Sequence, residues 1–146
     1  MHSHRIIETE NCLLSPQVFN EIAATVSLWA KEYNISIYNE ATNTGLLRHL
    51  YLRMAKATNE IMVALVINGS DIPFKEELIL KLKEFTAIKS VGLNINKKQT
   101  NVILGNVCKT IFGQDYITDV LCGVKIRISA LSFYQVNRDM TELLYK

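Results

Sequence analysis

Cysteine, proline, glycine and tryptophan are all scarce in this chain, which has three, two, six and one of them among its 146 residues. Three cysteines at irregular spacing do not form a disulfide framework, and the scattered glycines match neither a Walker motif nor G-x-G-x-x-G. No apolar run approaches the roughly 18 residues of a membrane-spanning helix, and the N-terminus lacks the apolar core of a signal peptide. We therefore expect one domain, in the cytoplasm, with no membrane partner.

The chain also lacks a strong charge of either sign, because 16 basic and 14 acidic residues leave a formal net charge of +2. So small an excess does not by itself indicate nucleic-acid binding, and any RNA contact would have to be local. Hydrophobic residues make up 49% of the chain. This is the composition of a globular domain that can bury a core of its own.

Two segments have the spacing of amphipathic helices. Ser15 and Pro16 provide an N-cap and a first helical residue, and apolar residues then recur every three or four positions as far as Tyr33. This pattern predicts a helix from about 16 to 33, and the same spacing predicts another from Phe74 to Phe85. A shorter amphipathic helix closes the chain.

Between the helices the pattern changes to that of strands. From residue 47 to 56, Leu50, Leu52 and Met54 alternate with His49, Tyr51 and Arg53, and 61–67 is apolar almost throughout, as in an interior strand. Further strands are predicted from 88 to 96, with Asn94 and Asn96 on a polar face, and at 102–104, 109–112, 116–121 and 124–129. The prediction is an α+β fold: a largely antiparallel sheet, two amphipathic helices packed on it, and a C-terminal helix that leads into a further domain.

The strand "LLRHLYLRMAK" has a basic and aromatic face that carries His49, Tyr51 and Arg53. Aromatic rings stack on exposed bases and cations hold phosphates, so this face is a candidate RNA surface. Lys97 and Lys98 could add phosphate contacts. A solvated sheet face with two solubilising lysines explains the same residues, and the sequence leaves both interpretations open.

The cysteines offer little chemistry. Cys108 and Cys122 each lie in an apolar, strand-like run with no histidine nearby, so we expect buried, inert thiols. A small cysteine-dependent enzyme would require one of them to be accessible and near a base. His2 and His4 lack a third ligand that would complete a zinc site.

Three stretches, "GLLRHLYLR", "VGLNINKKQTNVILG" and "SFYQVN", together resemble the central domain of bacterial RNA (uracil-5)-methyltransferases of the ribosomal RNA branch. The opening "SHRIIETENCLL" is similar as well, so the resemblance covers nearly the whole chain. It implies that residues 1–130 are this central domain and that 131–146 begin an S-adenosylmethionine-binding domain outside the chain. An N-terminal RNA-binding domain would precede it.

The family's chemistry needs a cysteine thiolate that adds to C6 of uracil and a carboxylate that removes the C5 proton. That cysteine lies in a Ser-Cys-Asn-Pro motif, which this chain lacks. The resemblance therefore implies S-adenosylmethionine as cofactor and RNA, ribosomal rather than transfer RNA, as partner of the intact protein. It implies no catalytic residue here, so we expect the chain alone not to methylate RNA.

A few residues match family positions. Gln135 matches a glutamine of the S-adenosylmethionine and target-base pocket, and Phe133 matches an aromatic residue beside the target nucleotide, although an apolar plug between domains is an equally open role. Cys12 matches the last of four cysteines that hold a 4Fe-4S cluster in part of the family; the other three would lie upstream, so no cluster is expected here. The resemblance places Arg48, His49 and Arg53 on a strand that helps to hold RNA.

The alternative hypothesis is a free-standing, non-catalytic module that binds RNA or protein. A complete module should bury Phe133, Tyr134, Leu143 and Leu144, whereas a truncated chain should leave an apolar face exposed. The sequence does not indicate an oligomeric state.

Overall fold

The computed structural model describes residues 15–135 and 137–145. These residues form three helices and six strands. In chain order they are α1 (Gln17–Glu32), β1 (Leu47–Ala55), β2 (Glu60–Ile67), α2 (Lys75–Leu82), β3 (Ile88–Ile95), β4 (Val107–Gly113), β5 (Tyr116–Leu121), β6 (Val124–Ser129) and α3 (Arg138–Leu144). The predicted α+β class and the C-terminal helix are confirmed.

The first four strands form one sheet in the order β1-β2-β3-β4. The β1/β2 and β3/β4 pairs are antiparallel, whereas β2 and β3 are parallel. The parallel pair was not expected from the sequence. It arises because α2 returns the chain to the opposite end of the sheet before β3 begins, so that one crossover helix joins two strands of the same direction.

Helices α1 and α2 cover one face of this sheet. Trp29 is fully buried, and its indole Nε1–H donates a 2.9 Å hydrogen bond to the Phe74 carbonyl, which satisfies the one polar atom of the ring. The main core lies between the two helices and alternate residues of β2 and β3. Leu50, Leu52 and Met54 of β1 pack against this core, so their predicted shared face is confirmed.

The opposite face of the sheet is partly covered by a second, two-stranded sheet, the β5–β6 hairpin. Ile117 and Ile128 of the hairpin are buried with Ala55 and Met62. Strand β2 is therefore apolar at nearly every position because both of its faces are covered, as predicted. The hairpin turns at Cys122 and Gly123, whose φ angles of 49° and 79° are those of a type I′ turn.

Two details of the predicted strands are wrong. Residues 102–104 are irregular because the amide of Asn96 donates to the carbonyls of Val102 and Ile103, at 2.7 and 3.1 Å, and takes them out of any strand ladder. Asn94 and Asn96 are also not on a solvated face: they are 0% and 4% exposed. Both side chains are buried because they bond the backbone of the loop that follows β3.

Within the described parts of the chain, no helix is both long enough and apolar enough to cross a membrane.

Candidate functional site

A buried carboxylate, Asp119 of β5, holds together three parts of the chain. It is 0% exposed and accepts hydrogen bonds from the backbone N–H groups of Lys56, Ala57 and Val120, at 3.3, 2.9 and 2.8 Å. The Tyr134 hydroxyl donates a fourth, at 2.9 Å. Four donors around one carboxylate compensate the loss of its hydration. Asp119 thereby joins the β1–β2 turn, the hairpin and the segment before α3.

The same contact changes the acidity of Tyr134. Burial, followed by the hydrogen bond to Asp119 and the negative charge of that carboxylate, raises the pKa of Tyr134 to about 12. The phenol is therefore a neutral donor at physiological pH.

Tyr134 stands between the two residues of "SFYQVN" that the resemblance assigns to the target-base and cofactor pocket. Phe133 is 85% exposed and Gln135 is also exposed, whereas Tyr134 is half-buried against the hairpin. The preceding turn is fixed as well, because the Ser132 hydroxyl accepts from the Ser129 N–H at 3.1 Å. The segment thus presents Phe133 and Gln135 to solvent from an anchored backbone.

Helix α3 is docked on the hairpin through its first turn. Asn137 caps it by accepting the Met140 N–H, and the Arg138 guanidinium donates twice to the Val120 carbonyl, at 3.0 and 2.8 Å. Arg138 also pairs with Glu142 at 2.6 Å. These contacts fix where the chain continues after Gln135.

Several apolar side chains of this segment and of α3 are exposed to solvent. They are Leu131, Phe133, Met140, Leu143, Leu144 and Tyr145. Of the four residues that distinguish the two hypotheses, Phe133, Leu143 and Leu144 are 85%, 67% and 81% exposed, and Tyr134 is half-buried. An isolated module with all four residues buried is not what the structure contains.

The basic strand has partners within the protein. Arg48 is the extra residue of a β-bulge, since the pairing of β1 with β2 shifts between Leu47 and His49. Its Nη1 donates to the carbonyls of Asn96 and Lys98, at 2.7 and 2.9 Å, and its guanidinium lies 4.1 Å from the centre of the Tyr38 ring.

Arg53 points towards the hairpin. Its Nη1 donates to the Ser129 carbonyl at 2.6 Å, and its guanidinium lies 5.7 Å from the centre of the Tyr51 ring. An arginine has five N–H donors, so each of these two side chains keeps donors beyond those used inside the protein, although the Nε of Arg48 is buried without a partner among the described residues and does not face solvent. Their assignment to RNA stays a prediction.

His49 is exposed on the same strand. Partial burial of the ring, and then the positive charge of Arg48, lower the pKa of His49, while Glu40 acts in the opposite direction. These effects favour the neutral form of the imidazole. A neutral ring can stack or accept a hydrogen bond, but it does not neutralise a phosphate.

The prediction that Cys108 and Cys122 are buried is wrong, since both are exposed. Cys108 lies on β4, which is an edge strand, and Cys122 lies in the hairpin turn. Cys108 Sγ accepts from the Asn94 amide at 3.2 Å. Over residues 15–135 and 137–145, neither thiol bonds a histidine or a carboxylate, and no three potential metal ligands cluster. Cys12 lies outside the described residues.

Gln135 lines neither of two cavities in the described part of the chain. One, of about 140 Å³, lies between β3, β4 and the turn at Ser129 and is smaller than the roughly 300 Å³ of a typical small-molecule site. The other, of about 670 Å³, lies between α1 and β1 and is lined by Arg48 and His49. Gln135 could supply one amide to a site formed mainly by other residues.

Sequence reasoning missed the anchoring role of Asp119 and Tyr134. The signal was present in "YITDVL", where a carboxylate occupies an inward position of an otherwise apolar strand. Such a residue is expected to be fully hydrogen-bonded when buried.

No family model matches the chain. The chain does match curated proteins that are named as uncharacterised RNA methyltransferases. One from Caldanaerobacter subterraneus is 45% identical over 145 residues, which are 99% of this chain and 32% of that protein. One from Staphylococcus epidermidis is 46% identical over 145 residues, with the same two coverages, and one from Clostridium acetobutylicum is 44% identical over 144 residues, which are 98% of this chain and 31% of that protein. The chain is similar to one part of each of these bacterial proteins. It spans about a third of the length of these curated relatives.

Among solved structures, the chain is similar to the tRNA (uracil-54, C5)-methyltransferase of Pyrococcus abyssi in complex with S-adenosyl-L-homocysteine. The TM-score is 0.81 at 24% identity, over 96% of this chain and 34% of that one. This likeness concerns the fold. The resemblance to RNA methyltransferases that the sequence motifs indicated is confirmed, and the nine elements described above share the fold of one part of the Pyrococcus protein.

Proposed function

We propose that the chain is the central, RNA-positioning domain of an S-adenosylmethionine-dependent RNA (uracil-5)-methyltransferase. The observation that carries this proposal is the "SFYQVN" segment, whose Phe133 and Gln135 are exposed on either side of Tyr134, which Asp119 anchors. It occurs in a chain that is 45% identical over 145 residues to about a third of a protein named as an RNA methyltransferase. In the intact protein, residues outside this chain supply the cysteine that adds to C6 of uracil and the base that removes the C5 proton.

The anchored segment suits a positioning role. A flipped uracil needs a flat apolar support, which Phe133 offers, and an amide such as Gln135 can both donate and accept at a pocket wall. Ser132 and Tyr134 fix the backbone that carries both side chains, so their positions are well defined. This matters because small displacements of groups around a reacting atom lower the rate by large factors.

The RNA would approach the strand that carries Arg48, His49 and Arg53. The two guanidinium groups keep N–H donors for phosphate, and the neutral His49 ring is available for stacking. We expect this strand to contribute modestly, since both arginines are already fixed by backbone carbonyls.

Ribosomal RNA is the proposed substrate class, with 23S rRNA in first place. Its support is the resemblance of the three motifs to the ribosomal branch. The Pyrococcus neighbour acts on transfer RNA, so each test should include both RNA classes.

The 146-residue chain itself tests this proposal. We expect it to bind a uracil-containing RNA stem-loop at low salt, measured by fluorescence anisotropy, and to transfer no methyl group from S-adenosylmethionine. Absence of binding, or methylation by the chain alone, would each contradict the proposal. The matched control is the same stem-loop made of DNA, because A-form grooves and 2′-hydroxyls distinguish the two.

The alternative is a binding module without catalysis. The observation in its favour is the self-contained core between α1, α2 and the sheet. It predicts RNA binding that Gln135→Ala leaves unchanged, both in this chain and in any longer protein that carries it.

A further inference from the structure

The connection between β3 and β4 is much longer than its task requires. These strands are antiparallel neighbours, and such pairs are usually joined by about two to five residues. Here β3 ends at Ile95 and β4 begins at Val107, so residues 96–106 lie between them. We call residues 96–106 the β3–β4 loop. Compact surface loops of this length are frequently functional.

The buried side-chain amides of Asn94 and Asn96 form hydrogen bonds to the backbone of this loop. Asn94 accepts the Gly105 N–H at 2.6 Å and donates to the Gly105 carbonyl at 2.8 Å. Asn96 accepts the Lys98 N–H at 3.2 Å and donates to the carbonyls of Val102 and Ile103. The loop backbone is thus bonded at four positions along its length by side chains that are themselves almost fully buried.

The loop is also braced from the side. Arg48 bonds the Asn96 and Lys98 carbonyls, and Gln99 donates to the Glu40 carbonyl at 3.2 Å. Its end lies against β3 so closely that a Cβ at Gly105 would be 1.9 Å from the Ile95 oxygen. A loop held in this way forms its surface before any partner arrives, which lowers the entropy cost of binding.

The solvent-exposed surface of the loop carries both cationic and apolar side chains. Lys97 and Lys98 are exposed, and neither makes an ion pair in the part of the chain that the structure describes. Val102 and Ile103 are 63% and 50% exposed. Rigid β-branched side chains left in water beside two unpaired cations indicate a surface that is covered by a partner.

We propose that the β3–β4 loop is a preformed RNA-docking element, in which Lys97 and Lys98 contact phosphates and Val102 and Ile103 pack against ribose or base faces. This inference rests on the proposed RNA-binding function and assigns part of it to a surface other than the β1 strand. Two unpaired lysines favour a polyanion over a protein surface, and Val102 and Ile103 together offer too small an area for a stable protein interface on their own.

Salt dependence of RNA binding is the decisive measurement. We expect Lys97→Ala with Lys98→Ala to weaken the binding of a fluorescein-labelled, uracil-containing RNA stem-loop about tenfold and to reduce the slope of log K against log salt by roughly 1 to 2. Val102→Ser with Ile103→Ser should weaken binding several-fold without changing that slope, because no charge is removed.

The matched control is Lys81→Ala with Lys83→Ala at the end of α2. It removes the same charge, but it lies near the start of β3, roughly 25 Å from the loop at the other end of that strand. We expect it to change neither affinity nor slope by more than about a third of the loop variant's effect. All six side chains lie on the surface or at its edge, and circular dichroism confirms that each variant is folded.

The outcomes separate the two proposals. If the wild-type chain binds RNA and the Lys97/Lys98 variant matches the Lys81/Lys83 variant, the loop inference is wrong while the RNA-binding function stands. If Val102→Ser with Ile103→Ser changes only sedimentation and not RNA affinity, the loop contacts protein, and the inference is again overturned. A wild-type chain that binds no RNA contradicts the proposed function itself.

Discussion

Replacing Asp119 with alanine should detach the "SFYQVN" segment from the hairpin and lower the stability of the whole domain. The change leaves the Ala57 and Val120 N–H groups and the Tyr134 hydroxyl without their acceptor, at 2.9, 2.8 and 2.9 Å in the native protein. Each donor stranded in a buried site costs about 1–3 kcal/mol, and water that enters the new space recovers part of this. We expect a loss of about 3–5 kcal/mol in the free energy of unfolding.

Two milder variants show how much of this loss in the free energy of unfolding each hydrogen bond accounts for. Tyr134→Phe removes only the phenol donor and should cost about 1–1.5 kcal/mol. Asp119→Asn keeps the shape and one acceptor oxygen but turns an NH₂ group towards donors, so its cost should lie between those of the other two variants.

Urea unfolding, followed by circular dichroism, gives the free energies, and amide hydrogen exchange at Phe133 and Gln135 shows whether the segment loosens. The matched control is Asp115→Ala, which removes an exposed carboxylate from the start of the same hairpin. If Asp119→Ala is within about 0.5 kcal/mol of this control, the anchoring role assigned to Asp119 is wrong.

Three further predictions concern single groups. Phenolate absorbance should show Tyr134 titrating at about 12, and because the neutral phenol is favoured in the folded state, its contribution to stability should be complete below pH 10 and decline as pH rises from about 10 to 12. NMR titration should give His49 a pKa below its ordinary value, which Arg48→Gln raises because it removes a positive charge; an unchanged value would refute this cause. Asn96→Ala should cost about 2–3 kcal/mol and speed amide exchange in the β3–β4 loop, with no such effect for the exposed Asn101→Ala.

The elements that the sequence predicted well are those with a strong apolar period. The stripe of α1 and the continuous apolar run of β2 depend on residues whose burial sets their secondary structure directly. The hairpin was predictable because Cys122-Gly123 follows one alternating segment and precedes another.

The features that the sequence did not predict depend on polar residues whose partners are distant in the chain. Asn94 and Asn96 look solvated from their alternation, but the backbone that buries them comes several residues later. Asp119 is 15 residues from its partner Tyr134 and more than 60 from Ala57. The local spacing of polar and apolar residues does not indicate hydrogen bonds between residues that are distant in the chain.

The exposure of the two cysteines has a different origin. Apolar neighbours predicted burial for Cys108, but its strand is at the edge of the sheet, and strand order is a property of the topology. The sequence motifs alone identified the candidate residues Phe133 and Gln135, and the structure adds the anchor that holds them.

The central claim is most directly tested by transplanting this chain into a relative. In the Staphylococcus epidermidis protein, residues 1–146 would replace the matching third, and 5-methyluridine would be quantified by mass spectrometry in ribosomal and transfer RNA from cells that lack the native enzyme. Where the intact relative forms 5-methyluridine, we expect the chimera to form it to the same level in the same RNA, and Gln135→Ala to abolish it while Gln114→Ala does not. A folded chimera that produces no 5-methyluridine, beside an intact relative that does, would contradict the account.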